Sequence, residues 1–328
     1  MGQIMRRTFA GLLTALLLLP AIAWSASAPL YDPPFGAWRI PPGLFGSVPF
    51  NLTALVFVRP KDSPADLLAA LDAARAKKMH MFISLVDFAQ LGENPDGSFS
   101  LANWKARYDA WCPAGHCVNL QPYVADGTLV ALHLFEYSRP PDPISHDTPT
   151  LDQIRQIAAY VKTLWPYLPI LIDTSHPCLF VGQPWSRADV DLVTITFFTI
   201  NMTDFARGEA QIDKDVACAK EAGLGYMFSP NPFSGKQSTL SPTGLSSFRH
   251  FAEFALLYPG KKATDIWRWW PGDTPTVTNG VKVFANFWSE KLDPGVGAAM
   301  REIEACAAHP TPVACPAGRR GGTAQANF

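Results

Sequence analysis

Short apolar runs alternate with amphipathic stretches along most of the chain. The runs cover 52–58, 79–87, 128–137, 169–175, 191–198, 225–231 and 264–270. Each run is rich in branched or aromatic residues and nearly continuous in apolarity, which is typical of parallel strands buried on both faces. The pattern therefore predicts seven strands of a mainly parallel sheet.

The stretches between the runs carry the start and stop signals of helices. Residues 63–66 form a capping box with proline at the first helical position, and residues 150–153 form a second box. A third helix is predicted from about 207 to 222, because Gly223 follows it as a C-terminal cap. Two more helices are predicted, over 246–257 and around 296–303.

Seven strands that alternate with helices predict an α/β fold, a (β/α)8 TIM barrel in a single domain. The segment 36–40 (GAWRI) is the best candidate for the missing strand, and it makes 128–137 the fourth strand and 264–270 the eighth. The alternative is an open, doubly wound sheet. A nucleotide-binding version of it lacks its signature, because no glycine-rich phosphate turn follows any strand.

The N-terminus has the layout of a secretory signal. Arg6 and Arg7 precede an apolar run over 9–23, and small residues follow at 26–28. We therefore expect a signal peptide over 1–28, with an uncleaved anchor as the alternative, and a secreted or periplasmic protein. The barrel domain, with a Pro- and aromatic-rich N-terminal segment, is predicted over 29–310 and a flexible tail over 311–328.

Composition argues against a disordered chain and against a nucleic-acid-binding protein. With 48% apolar residues the chain buries enough surface to fold. A net charge of -1 disfavours a polyanion-binding surface, so no nucleic acid partner is expected. No later segment is long and apolar enough to span a membrane, so no membrane partner is expected after signal removal.

All six cysteines lie in the predicted mature chain, and an even number in an exported protein favours disulfides. Cys112 with Cys117 and Cys306 with Cys315 enclose short loops, so each pair is expected to bond locally. Cys178 with Cys218 follows by elimination. Zinc is the alternative for 112–117 (CPAGHC), where His116 stands beside a cysteine, but no second ligand pair has metal spacing.

Three carboxylates end three consecutive predicted strands: Asp87, Glu136 and Asp173. In such barrels the chemistry lies at the C-terminal ends of the strands. Each carboxylate shares the alternation of nearby leucines, so all three are predicted to face one axial cavity. His133 has the opposite alternation to Glu136, so it is predicted to face the helices unless a bulge intervenes.

Paired carboxylates beside aromatic rings are typical of glycoside hydrolysis, in which one carboxyl is protonated and the other is ionised. Glu136 is the predicted acid because its apolar flanks disfavour its charged form, and Asp173 or Asp87 is the partner. Alternatively, each bonds backbone amides at its strand end. The predicted substrate-binding residues are Tyr137, His176, Asn231, Trp267, Trp269 and Arg59.

With Glu136 ending the fourth strand and a Trp-rich eighth strand, the chain resembles the large clan of retaining (β/α)8 glycoside hydrolases. Residues 99–136 also resemble bacterial barrel proteins of this type, with a DGT-containing strand that ends in an acidic residue. The resemblance implies that Glu136 is the acid/base. The clan's nucleophile Glu ends the seventh strand, where this chain has Ser229 and Asn231, so that role is not carried over.

Two other functions stay open. A carbohydrate-binding or assembly protein of the periplasm would keep the barrel and its aromatic cleft without a competent acid pair. A metal-dependent hydrolase would recruit His133 and His176 with Asp87 and Asp173, but no HxH or HExxH motif is present. We therefore expect a carbohydrate substrate or ligand, no metal and no cofactor.

Overall fold

The computed structural model describes the greater part of the chain between 34 and 318. The described residues are 34–38, 40, 42–45, 50–86, 100–137, 150–174, 176–183, 189–198, 203–231, 242–261, 264–266, 277–278, 281–282 and 294–318. The predicted signal peptide over 1–28 lies outside them.

Eight parallel strands form a closed barrel in chain order, because the first strand pairs with both the second and the eighth. The strands are β1 (Phe35–Trp38), β2 (Leu52–Val56), β3 (His80–Ser84), β4 (Leu129–Tyr137), β5 (Ile170–Thr174), β6 (Leu192–Phe198), β7 (Gly225–Asn231) and β8 (Thr264–Ile266). The predicted TIM barrel is confirmed, and so is the assignment of its first strand to the segment that begins near residue 36. A two-stranded antiparallel ribbon, β9 (Val277–Thr278) with β10 (Val281–Lys282), follows.

The described helices are α1 (Pro64–Ala76), α2 (Leu101–Asp109), α3 (Gln121–Ala125), α4 (Leu151–Leu164), α5 (Phe205–Glu221), α6 (Pro242–Leu257) and α7 (Pro294–Ala308). Both predicted capping boxes are present, at Ser63 before α1 and at Thr150 before α4. Gly223 follows α5 with a φ of 76°, the left-handed conformation that a C-terminal cap needs.

Two hydrophobic cores lie on opposite sides of the strands. The inner core fills the lower part of the barrel with Leu52, Ala54, Phe82, Ala131, Leu171, Leu192 and Met227. The larger outer core lies between strands and helices and contains Trp104, Trp165 and Phe248. Since both faces of β2 to β7 are covered, these strands are mainly apolar, as their sequences predicted.

A register shift in β4 decides which of its residues face the barrel axis. His133 pairs with Leu171 of β5, Phe135 pairs with Ile172, and Leu134 between them is passed over. This β-bulge reverses the alternation of the strand at that point. Leu132 and Leu134 belong to the outer core. His133 is the partner of an inner-core residue, so it faces the barrel interior. The bulge is the exception under which its predicted orientation toward the helices does not apply.

Three disulfides connect all six cysteines in the predicted pairing. Cys112–Cys117 closes the loop after α2, so both sulfurs that were considered for zinc are bonded to each other. Cys178–Cys218 joins the turn after β5 to α5, and Cys306–Cys315 joins α7 to the C-terminal segment. Within the described residues, no helix is long and apolar enough to cross a membrane.

Residues 317–318, part of the segment that was expected to be a flexible tail, contact α6. The backbone amides of Ala317 and Gly318 donate to Glu253 Oε2 at 2.8 and 3.2 Å. The ring of His250 contacts the carbonyl of Ala317 through Nδ1 and Glu209 through Nε2. Residues 317 and 318 are therefore held against α6 by these hydrogen bonds.

Candidate functional site

Two of the predicted catalytic residues occupy adjacent backbone positions in the sheet. Glu136 of β4 and Asp173 of β5 are register partners, and the backbones of paired strands run about 4.8 Å apart. Both positions lie one residue before the C-terminal end of their strand, the end at which barrel enzymes carry their chemistry. The structure thus brings together the backbones of two residues that the sequence separates by a helix.

The carboxylate of Asp173 is enclosed by the barrel. Asp173 is 2% exposed, and its Oδ1 accepts a hydrogen bond from the hydroxyl of Thr196 on β6. The register partner of Asp173 on β6 is Thr194, two residues before Thr196. The side chain of Asp173 is therefore almost completely shielded from solvent.

A layer of polar side chains lies inside the barrel above the inner core. Its members alternate with outward-facing apolar residues along their strands, and all are buried: Ser84, His133, Asp173, Thr194, Thr196 and Ser229. The Ser84 hydroxyl lies 3.2 Å from the carbonyl of His133 and 3.1 Å from that of Val86, so it binds the backbone beside the β4 bulge. The layer forms a polar floor beneath the mouth of the barrel.

The two threonines of β6 were missed from the sequence, although a signal for them exists. Thr194 and Thr196 alternate with Val193 and Ile195, which belong to the outer core. In an otherwise apolar strand, polar residues at every second position are expected to face away from the side that their apolar neighbours face.

Ser229 lies on β7 beside Thr196, its register partner. It is fully buried, and its Oγ has no hydrogen-bond partner within the part of the chain that the structure describes. The strand that carries it, Gly225–Asn231, contains no acidic residue. The seventh strand of the folded barrel therefore has no glutamate at the position where the retaining glycoside hydrolases carry their nucleophile.

The predicted substrate-binding residues fall in different places. His176 follows β5 and begins a short helical turn, Pro177–Phe180; its backbone amide donates to the Thr174 hydroxyl at 2.9 Å. Arg59 is exposed in the loop after β2, and its guanidinium donates to the Asp62 carbonyl of the same loop at 3.1 Å. His176 is thus near the end of β5, whereas Arg59 is engaged within its own loop.

Several predicted site residues lie outside the described part of the chain. Asp87, Trp267 and Trp269 are among them, and so are the side chains of Glu136, Tyr137 and Asn231. Among the described residues, no group of three His, Cys, Asp or Glu side chains could hold a metal ion.

Burial strongly raises the pKa of two helical carboxyl groups, and both lie away from the polar floor. Burial raises the pKa of Asp215 on α5 to about 6, opposed by Gln211 and Lys214. Burial also raises the pKa of Glu304 on α7 to about 7, opposed by Arg301. Perturbed carboxyls often mark functional sites, but these two lie on helices of the outer layer, so we assign their acidities to packing.

Similarity to known proteins is found in three-dimensional structure. No family model and no curated protein sequence matches the chain. A glucosidase from Croceicoccus marinus is 12% identical with a TM-score of 0.51, and the match covers 84% of this chain and 68% of that one. The chain has the barrel fold of glycoside hydrolases.

Two further solved structures extend this likeness. An endo-beta-1,4-mannanase from Thermotoga petrophila is 11% identical with a TM-score of 0.53, and the match covers 84% of this chain and 77% of that one. A GH10 protein from Paenibacillus barcinonensis is 11% identical with a TM-score of 0.50, over 82% and 96% of the two chains. At such identities the likeness concerns the fold.

Proposed function

We propose that this protein is an exported glycoside-hydrolase-like enzyme that acts on a poly- or oligosaccharide at the C-terminal mouth of its barrel. The observation that carries the proposal is the register pairing of Glu136 with Asp173 at the ends of β4 and β5. Structural likeness to a glucosidase and a mannanase supports a carbohydrate-acting hydrolase.

Glu136 takes the role of general acid. An ionised carboxylate in the adjacent strand disfavours a second negative charge, so Asp173 would hold Glu136 in its protonated form. A protonated carboxyl is what the departing glycosidic oxygen requires. The burial of Asp173 suits this indirect role better than attack on a sugar ring.

The second catalytic carboxylate is assigned to Asp87, with Asp173 as the alternative. Asp87 comes shortly after the β3 segment in the sequence, and β3 is the neighbour of β4 in the barrel. Because β7 supplies no carboxylate, we propose that the partner comes from this side. Carboxyl groups about 5 Å apart suit retention of configuration, and groups about 6.5–9.5 Å apart suit inversion.

Sugar binding is assigned to residues on the loops around this mouth. They are Tyr137, His176, Asn231, Trp267, Trp269 and Arg59. Aromatic rings cover the apolar faces of sugars, and the amide, imidazole and guanidinium groups donate to hydroxyls.

Export is part of the proposal and has two supports. The N-terminal 28 residues have the pattern of a secretory signal. Three disulfides use all six cysteines, and disulfides persist in oxidising compartments such as the periplasm or the cell exterior.

The test is hydrolysis by the purified mature protein against a panel of mannans, xylans and β-glucans, measured as release of reducing ends. Glu136→Gln is expected to lose at least about 100-fold of the activity, since general acid catalysis contributes about 10²–10⁴-fold. Glu221→Gln, the same change at an exposed position on α5, is the matched control. Undiminished hydrolysis in Glu136→Gln would remove Glu136 from the mechanism.

A non-catalytic carbohydrate-binding role is the second candidate. It is favoured by one observation, the absence of any acidic residue from β7. In that case the wild-type protein binds an oligosaccharide in isothermal titration calorimetry and releases no reducing ends. Glu136→Gln then changes affinity only slightly, because a neutral amide preserves most hydrogen bonds to sugar hydroxyls.

A further inference from the structure

A buried histidine joins the C-terminal segment to the helices of the outer layer. His250 on α6 is fully buried, and its ring stacks on Phe205, the first residue of α5, at a centroid distance of 4.1 Å. This stacking covers one face of the ring, so its polar contacts lie at the ring edge. Nε2 lies 3.0 Å from Oε1 of Glu209, and Nδ1 contacts the backbone carbonyl of Ala317. Both ring nitrogens therefore face oxygen atoms that accept hydrogen bonds.

The two contacts of the ring together require two protons. A carbonyl oxygen has no proton to donate, so Nδ1 must carry one for the contact with Ala317. A second proton must lie between Nε2 and the carboxylate of Glu209, whether it belongs to the imidazolium or to the carboxyl group. The ring therefore makes both contacts only while the pair of His250 and Glu209 holds this second proton.

Loss of one proton from the pair leaves a neutral imidazole that can donate to only one of the two oxygens. A hydrogen bond to an ionised carboxylate is about twice as strong as one to a neutral acceptor. The remaining proton is therefore expected on Nε2, facing Glu209, so that the lone pair of Nδ1 faces the carbonyl of Ala317. The contact that fails is the one that holds the C-terminal segment.

We propose that His250 and Glu209 form a pH-dependent latch for the C-terminal segment, which is closed while the ring donates to both oxygens and opens when the pair loses a proton. Histidine ordinarily changes its charge between about pH 5 and 8, so the latch opens as pH rises through this range. Cys315 stays bonded to Cys306, and opening therefore affects only the residues that follow Cys315. The latch does not depend on the proposed function.

The other charged groups around the latch come from α6 and α7. Glu253 on α6 is fully buried, and it accepts hydrogen bonds from the backbone amides of 317–318 and from Arg249. Arg249, beside His250 in the helix, also pairs with Glu302 of α7, so its charge is balanced by two carboxylates. Glu253 keeps its bonds to the segment when the ring contact fails. Opening is therefore expected to loosen the docking without abolishing it.

The experiment is amide hydrogen exchange of the purified mature protein, followed by NMR at about pH 5.5 and about pH 8 and corrected for the intrinsic effect of pH on exchange. A hydrogen bond that involves a charged group is worth at least about a factor of ten in an equilibrium. The protection of the amides of Ala317 and Gly318 is thus expected to fall at least about tenfold. The amide of Cys315, which donates to the carbonyl of Thr311 inside the disulfide loop, keeps its protection as the internal control.

A second measurement uses Glu209→Gln, which separates a latch from an ordinary structural ion pair. The side-chain amide of glutamine can donate to Nε2, so a neutral ring keeps its own proton on Nδ1 for Ala317. The protection of 317–318 is then expected to change by less than about threefold between the two pH values and to exceed that of wild type at about pH 8. Glu221→Gln, the same change at an exposed position on α5, retains the wild-type fall.

Two results overturn the inference. One is a wild-type protection at 317–318 that falls no further than that of Cys315 between the two pH values. This measurement uses the unmodified chain, so it stands even where Glu209→Gln fails to fold. The other is a fall in Glu209→Gln as large as in wild type, which would make the pair a structural contact only.

Discussion

The hydroxyl of Thr196 donates a hydrogen bond to the carboxylate of Asp173 inside the barrel. The two residues lie on adjacent strands, β6 and β5, and both are buried. A hydrogen bond to an ionised group in such surroundings is stronger than one between neutral groups. Thr196 therefore fixes the carboxyl group of Asp173 in place inside the barrel.

Replacement of Thr196 by valine keeps the shape of the side chain and removes its donor. We expect the free energy of unfolding to fall by about 2 kcal/mol at pH 7, since a buried carboxylate loses a partner. Urea unfolding followed by fluorescence measures the change.

Ser229 provides the matched control for this substitution. It pairs with Thr196 in the sheet and is equally enclosed, but its hydroxyl has no partner in the described part of the chain. Ser229→Ala is expected to cost less than about 1 kcal/mol. Equal losses in the two variants would mean that the hydrogen bond to Asp173 contributes no more to stability than the unpaired hydroxyl of Ser229.

The C-terminal segment is held by a close approach at Gly318. A Cβ at this position would lie 2.4 Å from the backbone carbon of Glu253 and 2.4 Å from the backbone nitrogen of Phe254. Gly318→Ala must therefore displace the segment and break the hydrogen bonds of Ala317 and Gly318 to Glu253. We expect a loss of about 2–4 kcal/mol and faster proteolytic cleavage near residue 318.

Gly43→Ala is the control for this effect, because a Cβ there has no neighbour within 4 Å. It is expected to leave both unfolding and cleavage near wild type. A segment that remains as resistant to protease in Gly318→Ala as in wild type argues against tight docking of the C-terminus.

The features predicted correctly from sequence depend on residues that are close together in the chain. The capping box of Ser63 with Asp66 spans one helical turn, and the Cys112–Cys117 loop has a separation of five. The barrel followed from the repeated alternation of apolar runs with helices. Each of these signals is local, so tertiary context was not needed to read it.

The features that were missed depend on distant contacts. Leu132 and Leu134 flank His133 in β4, so the apolar pattern of the sequence did not fix the register that places His133 inside. Thr196 resembles an ordinary strand threonine until Asp173 is placed beside it. The docking of Gly318 depends on Glu253, which lies 65 residues earlier. Small polar residues near a C-terminus otherwise indicate a tail.

The Cys178–Cys218 disulfide joins the turn that follows β5 to α5, and so it restrains the chain just after Asp173 and His176. It closes a loop of 40 residues, whereas Cys112–Cys117 closes one of five. Loop entropy assigns about 4 kcal/mol to the long loop and about 2 kcal/mol to the short one. We expect replacement of both Cys178 and Cys218 by alanine to lower the free energy of unfolding in guanidinium by about 2 kcal/mol more than replacement of both Cys112 and Cys117. A larger loss for the short loop would contradict the entropic account.

Asp215 makes the stability of the fold dependent on pH. Burial raises its pKa to about 6 in the folded chain, above a usual value of about 4. The folded state therefore holds its proton more tightly than the unfolded state, and stability falls as pH rises from about 4 to about 6. The full difference corresponds to about 3 kcal/mol, and partial contact with water reduces it to about 1–2 kcal/mol.

Asp215→Asn removes this penalty and retains an acceptor for Gln211, whose Nε2 lies 3.0 Å from Asp215 Oδ1. We expect the variant to be more stable than wild type by about 1–2 kcal/mol at pH 7 and equally stable near pH 4. Glu221→Gln, which alters an exposed carboxyl at the end of the same helix, should leave the pH profile unchanged. Urea unfolding at several pH values between 4 and 8 measures how the stability difference between Asp215→Asn and wild type depends on pH. If the variant is more stable by the same amount at pH 4 as at pH 7, the effect comes from packing and not from the buried charge.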